Sequence, residues 1–187
     1  MAAREVQFQT FETAMGHCAI AWSGTDIVGF RLPTGRADEA ERQVLRRFPR
    51  AVRAAAPAPV DEAIADARAY FEGREPDFQR YALDLGAQEP FFAGVYDFVR
   101  ALKRGETTTY GAVAKALGAG PEAARDVGQA MAQNPVPLII PCHRVLAAGG
   151  RIGGFSAPGG AATKARMLAL EGVRTEPPPP AQRSFGF

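Results

Sequence analysis

The spacing of hydrophobic positions changes character twice along the chain. VQFQTF (6–11), CAIAW (18–22) and DIVGFRL (26–32) are rich in β-branched and aromatic residues and are separated by MGH and SGT. That pattern predicts a short β-meander. The period then becomes helical. ADEAERQVLRRF (37–48) sets Ala40, Val44, Leu45 and Phe48 on one stripe and stops at Pro49. After the connector RAAAPAP (53–59), VDEAIADARAYFEG (60–73) places Val60, Ile64, Ala67 and Phe71 on one face, with Gly73 at its end. Strands followed by helices predict an α+β unit rather than alternating βαβ.

DLGAQEP (84–90) is the expected boundary, dividing an N-terminal α/β domain (1–86) from a mostly helical one (87–173). FFAGVYDFVRALKRG (91–105) reads as a helix with Phe92, Val95, Tyr96, Val99 and Leu102 inward, and with Lys103 and Arg104 at its negative end before Gly105. TTYGAVAKALG (108–118) has a threonine cap and a terminating glycine, and PEAARDVGQAMAQ (121–133) follows after a brief turn. Helix, glycine turn, helix fits a helix-turn-helix and equally an ordinary αα-hairpin. The second helix is lined by Ala123, Ala124, Gly128, Ala130 and Ala132, with Arg125 among them. Small residues admit a close partner, or tight packing inside the core. GGRIGGFSAPGG (149–160) is a glycine-rich loop without the strand-to-helix context of a dinucleotide site. AATKARMLALEG (161–172) is the last helix, and the proline-rich tail (174–187) is expected to be extended and disordered.

Composition narrows the function classes. A chain of 187 residues holds one large or two small domains, and 47% hydrophobic with 22% charged residues is ordinary for a soluble globular protein. No run of eighteen apolar residues occurs and MAAREVQFQTFE lacks a signal-peptide core, so a cytoplasmic, non-membrane protein is expected. In that setting two cysteines are expected as thiols. Residues 1–88 carry a net charge of −2 and residues 89–187 one of +4. The basic half is compatible with a phosphate-rich partner.

The chemistry concentrates in NPVPLIIPCHRV (134–145). A thiol with a free pKa of about 8.5 is a poor nucleophile until something takes its proton. An oriented imidazole can do so. His143 adjoins Cys142, but successive side chains in extended backbone point to opposite faces, so contact requires a turn or a bridging water. LII before Pro141 predicts a short buried strand that delivers the thiol to a pocket edge. A structural cysteine beside a surface histidine is the plain alternative. Cys18, after His17 in a strand-like run, reads as core filler. With two Cys and two His and neither C-x-x-C nor H-x-x-x-H, no metal site is expected.

The block NPVPLIIPCHRV, preceded by TTYGAVAKALG and PEAARDVGQAM and followed by the glycine-rich loop, Lys164 and Glu171-Gly172, resembles the O6-alkylguanine-DNA alkyltransferase family, also called methylated-DNA–protein-cysteine methyltransferases. The resemblance is strong over roughly residues 90–173 and faint before them. It implies an α/β (α+β) fold: a small antiparallel sheet with helices (an RNase H-like roll), then a domain with a winged helix-turn-helix. It implies DNA repair without a cofactor. Cys142 takes the alkyl group from O6-alkylguanine, and also from O4-alkylthymine, as a permanent thioether, so each monomer acts once. His143 acts through a water as base toward the thiol, and Glu171 orients it. Tyr110 protonates or hydrogen-bonds the departing base, and Asn134 shapes the turn before the cysteine. The partner is double-stranded DNA, met in the minor groove by the second helix. Ala123, Ala124, Gly128 and Ala132 lie against the sugar-phosphate walls, and Arg125 fills the gap left by the flipped nucleotide. Arg144, Phe155 and Ser156 are expected on the DNA side as well.

Three departures stand out. Phe155 occupies a position where several members carry tyrosine, the turn between the short helices is one residue longer than in some relatives, and the zinc ligands of some N-terminal domains are missing. Competing readings are a silent lesion sensor, which has tryptophan at the cysteine position, a cysteine hydrolase, and a helix-turn-helix regulator.

Overall fold

The computed structural model describes residues 5–175, so most of the proline-rich tail lies outside the described residues. Strands β1 (Gln7–Thr13), β2 (Gly16–Ser23) and β3 (Asp26–Thr34) form the expected meander, antiparallel throughout. A fourth strand, β4 (Val52–Arg53), joins β1 in parallel and gives the order β3-β2-β1-β4. Both β4 side chains are exposed, so no hydrophobic pattern marked it.

The central strand shows how one sheet serves two cores. In β2 the residues Cys18, Ile20 and Trp22 face the main core, while Ala19 and Ala21 face a smaller one with Phe8 and Val28. Helix α1 (Ala37–Arg47) closes the small side through Ala40 and Val44. The alanines let it lie close to the sheet. At Gly29 the fit is tightest, since an added Cβ would stand 2.9 Å from the Phe48 ring.

The main core joins the two halves of the chain. Helix α2 (Ala58–Phe71) contributes Val60, Ile64, Ala67, Tyr70 and Phe71, and helix α3 (Pro90–Arg100) contributes Val95, Tyr96 and Val99. A backbone bond ties the halves too: Phe30 N donates to Pro135 O at 3.0 Å. Helix α3 ends earlier than the sequence pattern suggests. The Leu102 carbonyl accepts from Arg144 (2.6 Å) and the Gly105 amide donates to Glu171 (3.0 Å), so the chain turns to the interior instead of continuing the helix. Arg104, expected at the helix end, donates to the Gly73, Arg74 and Leu170 carbonyls.

Helix α4 (Tyr110–Ala116) starts at Thr109, whose hydroxyl accepts from the Ala112 amide at 3.2 Å. A 3₁₀ turn at Pro121–Ala123 leads into α5 (Ala124–Gln133). Strands β5 (Thr108–Thr109) and β6 (Val145–Leu146) pair in parallel beside this helix pair, and α6 (Gly160–Leu170) packs behind the cysteine segment. No helix among the described residues is long and apolar enough to cross a membrane.

The segment before Cys142 is buried as expected but is not a strand. Leu138 has φ of +79° and Ile140 N bonds back to Val136 O, giving a tight turn. Asn134 holds it: its Oδ1 accepts from Val136 N at 3.0 Å and its Nδ2 donates to Ile140 O at 2.8 Å. Both bonds are buried, and a buried backbone group left unpaired costs about 1–3 kcal/mol. Asn134→Ala is therefore expected to lower unfolding free energy by about 2–4 kcal/mol. Urea denaturation checks this, and a loss below about 1 kcal/mol would mean the turn holds itself.

Candidate active site

The turn delivers Cys142 into a 3₁₀ helix, Cys142–Arg144, so the backbone there is not extended. In helical backbone the two neighbours need not point to opposite faces, and both side chains are buried, His143 fully. Cys142 opens onto a cavity of about 490 Å³ lined by Tyr110, Gly128, Met131, Ala132, Gly154, Phe155 and Ser156. That volume lies in the range of small-molecule pockets. A smaller hollow of about 150 Å³ shares Cys142, Phe155 and Ser156 and extends toward Asn134, Pro137 and Arg31.

Burial pushes the Cys142 thiol above its ordinary pKa, opposed by a hydrogen bond from Asn134, by the charge of Lys164, and by nearby backbone amides. The resting sulfur is thus a protonated thiol, and chemistry at it needs a base. Behind it His143 Nε2 lies 2.6 Å from Glu171 Oε1 and 3.2 Å from the Tyr70 hydroxyl. Burial lowers the His143 pKa more than the glutamate raises it, so the ring is neutral near pH 7. Its Nδ1 is buried without a hydrogen-bond partner among the described residues. With Nε2–H directed at the carboxylate, Nδ1 carries the lone pair that can accept a proton.

Glu171 is a buried carboxylate surrounded by donors. It accepts from Tyr70 OH (2.8 Å), from Arg144 Nε and Nη2 (2.9 and 3.0 Å), and from Gly105 N (3.0 Å). Burial alone would raise its pKa, but hydrogen bonds and charges from His143 and Arg144 hold it well below the usual carboxylate range. Arg144, expected toward DNA, is turned inward here. Its guanidinium clamps Glu171 and the Leu102 carbonyl, with 11% of the side chain exposed.

The remaining expected residues separate into two groups. Tyr110, Gly128, Phe155 and Ser156 line the cavity, with Ser156 Oγ 3.3 Å from Ala132 O. Burial raises the Tyr110 pKa, so the phenol keeps its proton. Arg125 stands on the exposed side of α5, with no hydrogen bond or ion pair among the described residues, beside half-buried Ala124. Ala123, expected against the DNA, is buried with the core. At Gly128 a Cβ would meet only Tyr110 Cδ1, at 4.0 Å, so interior packing does not require glycine there.

Tyr70 escaped the sequence reading, and Lys164 entered it only as part of the family block, without a role. Tyr70 comes from the other half of the chain, and its only sequence signal is an aromatic hydroxyl in the last turn of a core helix, where it needs a partner. Lys164 is fully buried; its Nζ donates to Val145 O at 2.5 Å and lies 3.5 Å from Tyr110 OH. The ammonium also sits over the Phe155 and Tyr110 rings, at 5.4 and 5.7 Å from their centroids. Burial lowers its pKa to about 8, with Cys142 acting in the opposite direction, so it stays mostly cationic at neutral pH. Among the described residues no group of His, Cys, Asp and Glu gathers as a metal would require.

Comparison with known proteins agrees with this geometry. A family model described as 6-O-methylguanine DNA methyltransferase, DNA binding domain, matches residues 90–173. The methylated-DNA–protein-cysteine methyltransferase of Mus musculus is 33% identical over 193 residues, covering 98% of this chain and 88% of the mouse protein. The enzyme of the same name from Methanothermobacter thermautotrophicus is 38% identical over 120 residues, and the match spans 64% of this chain and 65% of that protein. The crystal structure of Mycobacterium tuberculosis OGT in complex with DNA superposes with a TM-score of 0.70 at 29% identity, covering 88% of this chain and 92% of that one. The chain belongs to the methylated-DNA–protein-cysteine methyltransferase family.

Proposed function

We propose that this protein repairs duplex DNA by moving the alkyl group of O6-alkylguanine, and of O4-alkylthymine, onto Cys142. The observation that carries the reading is a buried thiol at the mouth of a base-sized cavity, backed by a neutral, carboxylate-anchored imidazole. The thiol proton passes to His143 Nδ1, directly or through a water. The sulfur then attacks the alkyl carbon in line, forming a C–S bond as the C–O bond breaks. The electron pair leaves on guanine O6, and the Tyr110 hydroxyl supplies the hydrogen bond or proton that makes guanine a better leaving group. Lys164 favours the thiolate, and its cation stabilises the pocket rings. A thioether has no ready leaving group, so one monomer acts once.

On this reading α4 and α5 form the helix-turn-helix, and β5, β6 and the glycine-rich loop its wing. Residues 87–173 carry the reaction and residues 1–86 support it from below. Helix α5 enters the minor groove, Gly128 and Ala132 allow the backbone near the sugars, and Arg125 occupies the space of the extruded nucleotide. The two free thiols accord with a cytoplasmic location.

Titrating lesion-bearing duplex with protein is expected to restore one guanine per Cys142 and then stop; continued turnover would favour a hydrolase. Cys142→Ala should lose transfer and retain binding to damaged duplex in a gel-shift assay. Lys164→Met is expected to slow single-turnover transfer about tenfold, the effect of raising the thiol by about one pKa unit. An unchanged rate would separate Lys164 from the charge on sulfur. Gly128→Ala should raise stability by up to about 1 kcal/mol through helix propensity while slowing repair of duplex. Calorimetry with repair kinetics checks this, and unimpaired repair would remove Gly128 from the DNA interface.

A further inference from the structure

Glu171 and His143 both come from the half of the chain that the family model matches, but the third member of their network does not. Tyr70 sits in the last turn of α2, 2% exposed, with its hydroxyl 2.8 Å from Glu171 Oε1, 3.2 Å from His143 Nε2 and 3.5 Å from Met167 O. We propose that Tyr70 is a positioning residue for alkyl transfer, whose hydroxyl fixes His143 as the neutral Nε2–H tautomer and so leaves Nδ1 free as the base. The proposal rests on the reading of Cys142 as the alkyl acceptor.

Counting protons fixes the tautomer. A phenol has one, and the nearest charged acceptor is Glu171 Oε1. Burial and the facing carboxylate make loss of that proton harder than in free tyrosine. The Tyr70 oxygen therefore meets Nε2 with a lone pair, and Glu171 Oε1 meets it with another. Two acceptors around one ring nitrogen require Nε2–H. The neutral imidazole then has its lone pair on Nδ1, the buried atom with no other partner among the described residues.

The same hydroxyl also limits the pull of Glu171. A carboxylate that already accepts from Tyr70, Arg144 and Gly105 has less negative charge to hold a second proton on the ring. The charged and titratable groups facing His143 are few. The 3₁₀ turn supplies Arg144, α6 supplies Lys164 and, just past its end, Glu171, and α2 supplies Tyr70. Of these, Glu171 favours the imidazolium, while Arg144 and Lys164 oppose it. Arg104 lies over the Tyr70 ring at 5.8 Å, and it also donates to the Gly73, Arg74 and Leu170 carbonyls. One guanidinium thus pins the end of α2 to the end of α6, holding the phenol against the carboxylate.

The test is Tyr70→Phe in the full chain, which removes one oxygen and keeps the ring. Single-turnover transfer is followed between about pH 5.5 and 8.5, the range in which histidine titrates. Ring nitrogens are followed by NMR, where only His17 and His143 contribute. The acid limb of the rate is expected to move up by about one pH unit, with transfer about tenfold slower within that limb and close to the wild type at alkaline pH. The His143 resonance should shift with it. An unmoved His143 titration with Nε2–H retained in the variant would overturn the proposal, because a slower rate would then report lost packing alone. Should the variant fail to fold, the wild-type spectrum decides: Nε2–H at neutral pH supports the proposal, and Nδ1–H or imidazolium overturns it. A wild type that shows Nε2–H yet never accepts an alkyl group would overturn the assignment of Cys142, and this proposal with it.

Discussion

A single buried carboxylate organises this molecule. Placing Glu171 in the interior is costly unless its oxygens are fully occupied, and the fold answers by bringing three separate segments to it. Helix α2 brings Tyr70, the turn after α3 brings the Gly105 amide, and the cysteine segment brings His143 and Arg144. Helix α3 stops where it does because Leu102 and Gly105 are drawn into this network. The same contacts that satisfy the charge also set the orientation of the imidazole behind the thiol. Stability and chemistry therefore share one set of hydrogen bonds.

The front of the site is built on the opposite principle. Around Cys142 the walls are rings and small residues, with Tyr110 and Phe155 facing Gly128, Ala132 and Gly154. Such a surface accepts a flat aromatic base and leaves few polar groups to compete for the sulfur. The buried Lys164 supplies positive charge where the thiolate forms, anchored by Val145 O rather than by a counter-ion. Burial keeps the thiol protonated at rest, and on the proposed reading His143 is the group that removes the proton.

Much of this was legible in the sequence, for reasons that differ by element. The meander and α1, α2, α5 and α6 were found within a few residues because their apolar periods are strong. Strand β4 is two exposed residues paired to β1, with nothing local to announce it. LII was read as a strand because it is apolar, but Asn134 captures its backbone and the segment turns. Cys142, His143, Glu171 and Tyr110 came from one compact block and a resemblance. The Arg144–Glu171 pairing was not legible, because the two residues lie 27 positions apart and nothing local joins them. Tyr70 was invisible for a geometric reason: its partner lies 101 residues away, in the other half of the chain. Local pattern finds helices and motifs; it does not find the residue that crosses between halves.

The account turns on whether the Cys142 sulfur becomes a permanent carbon acceptor. The most direct measurement is the mass of the intact protein, followed by peptide mapping, after incubation with duplex DNA bearing O6-methylguanine. The account requires a gain of one CH₂ unit, located on the peptide that contains Cys142 and absent when the duplex is undamaged. An unchanged mass while the lesion persists, or a gain located on Cys18, would contradict it.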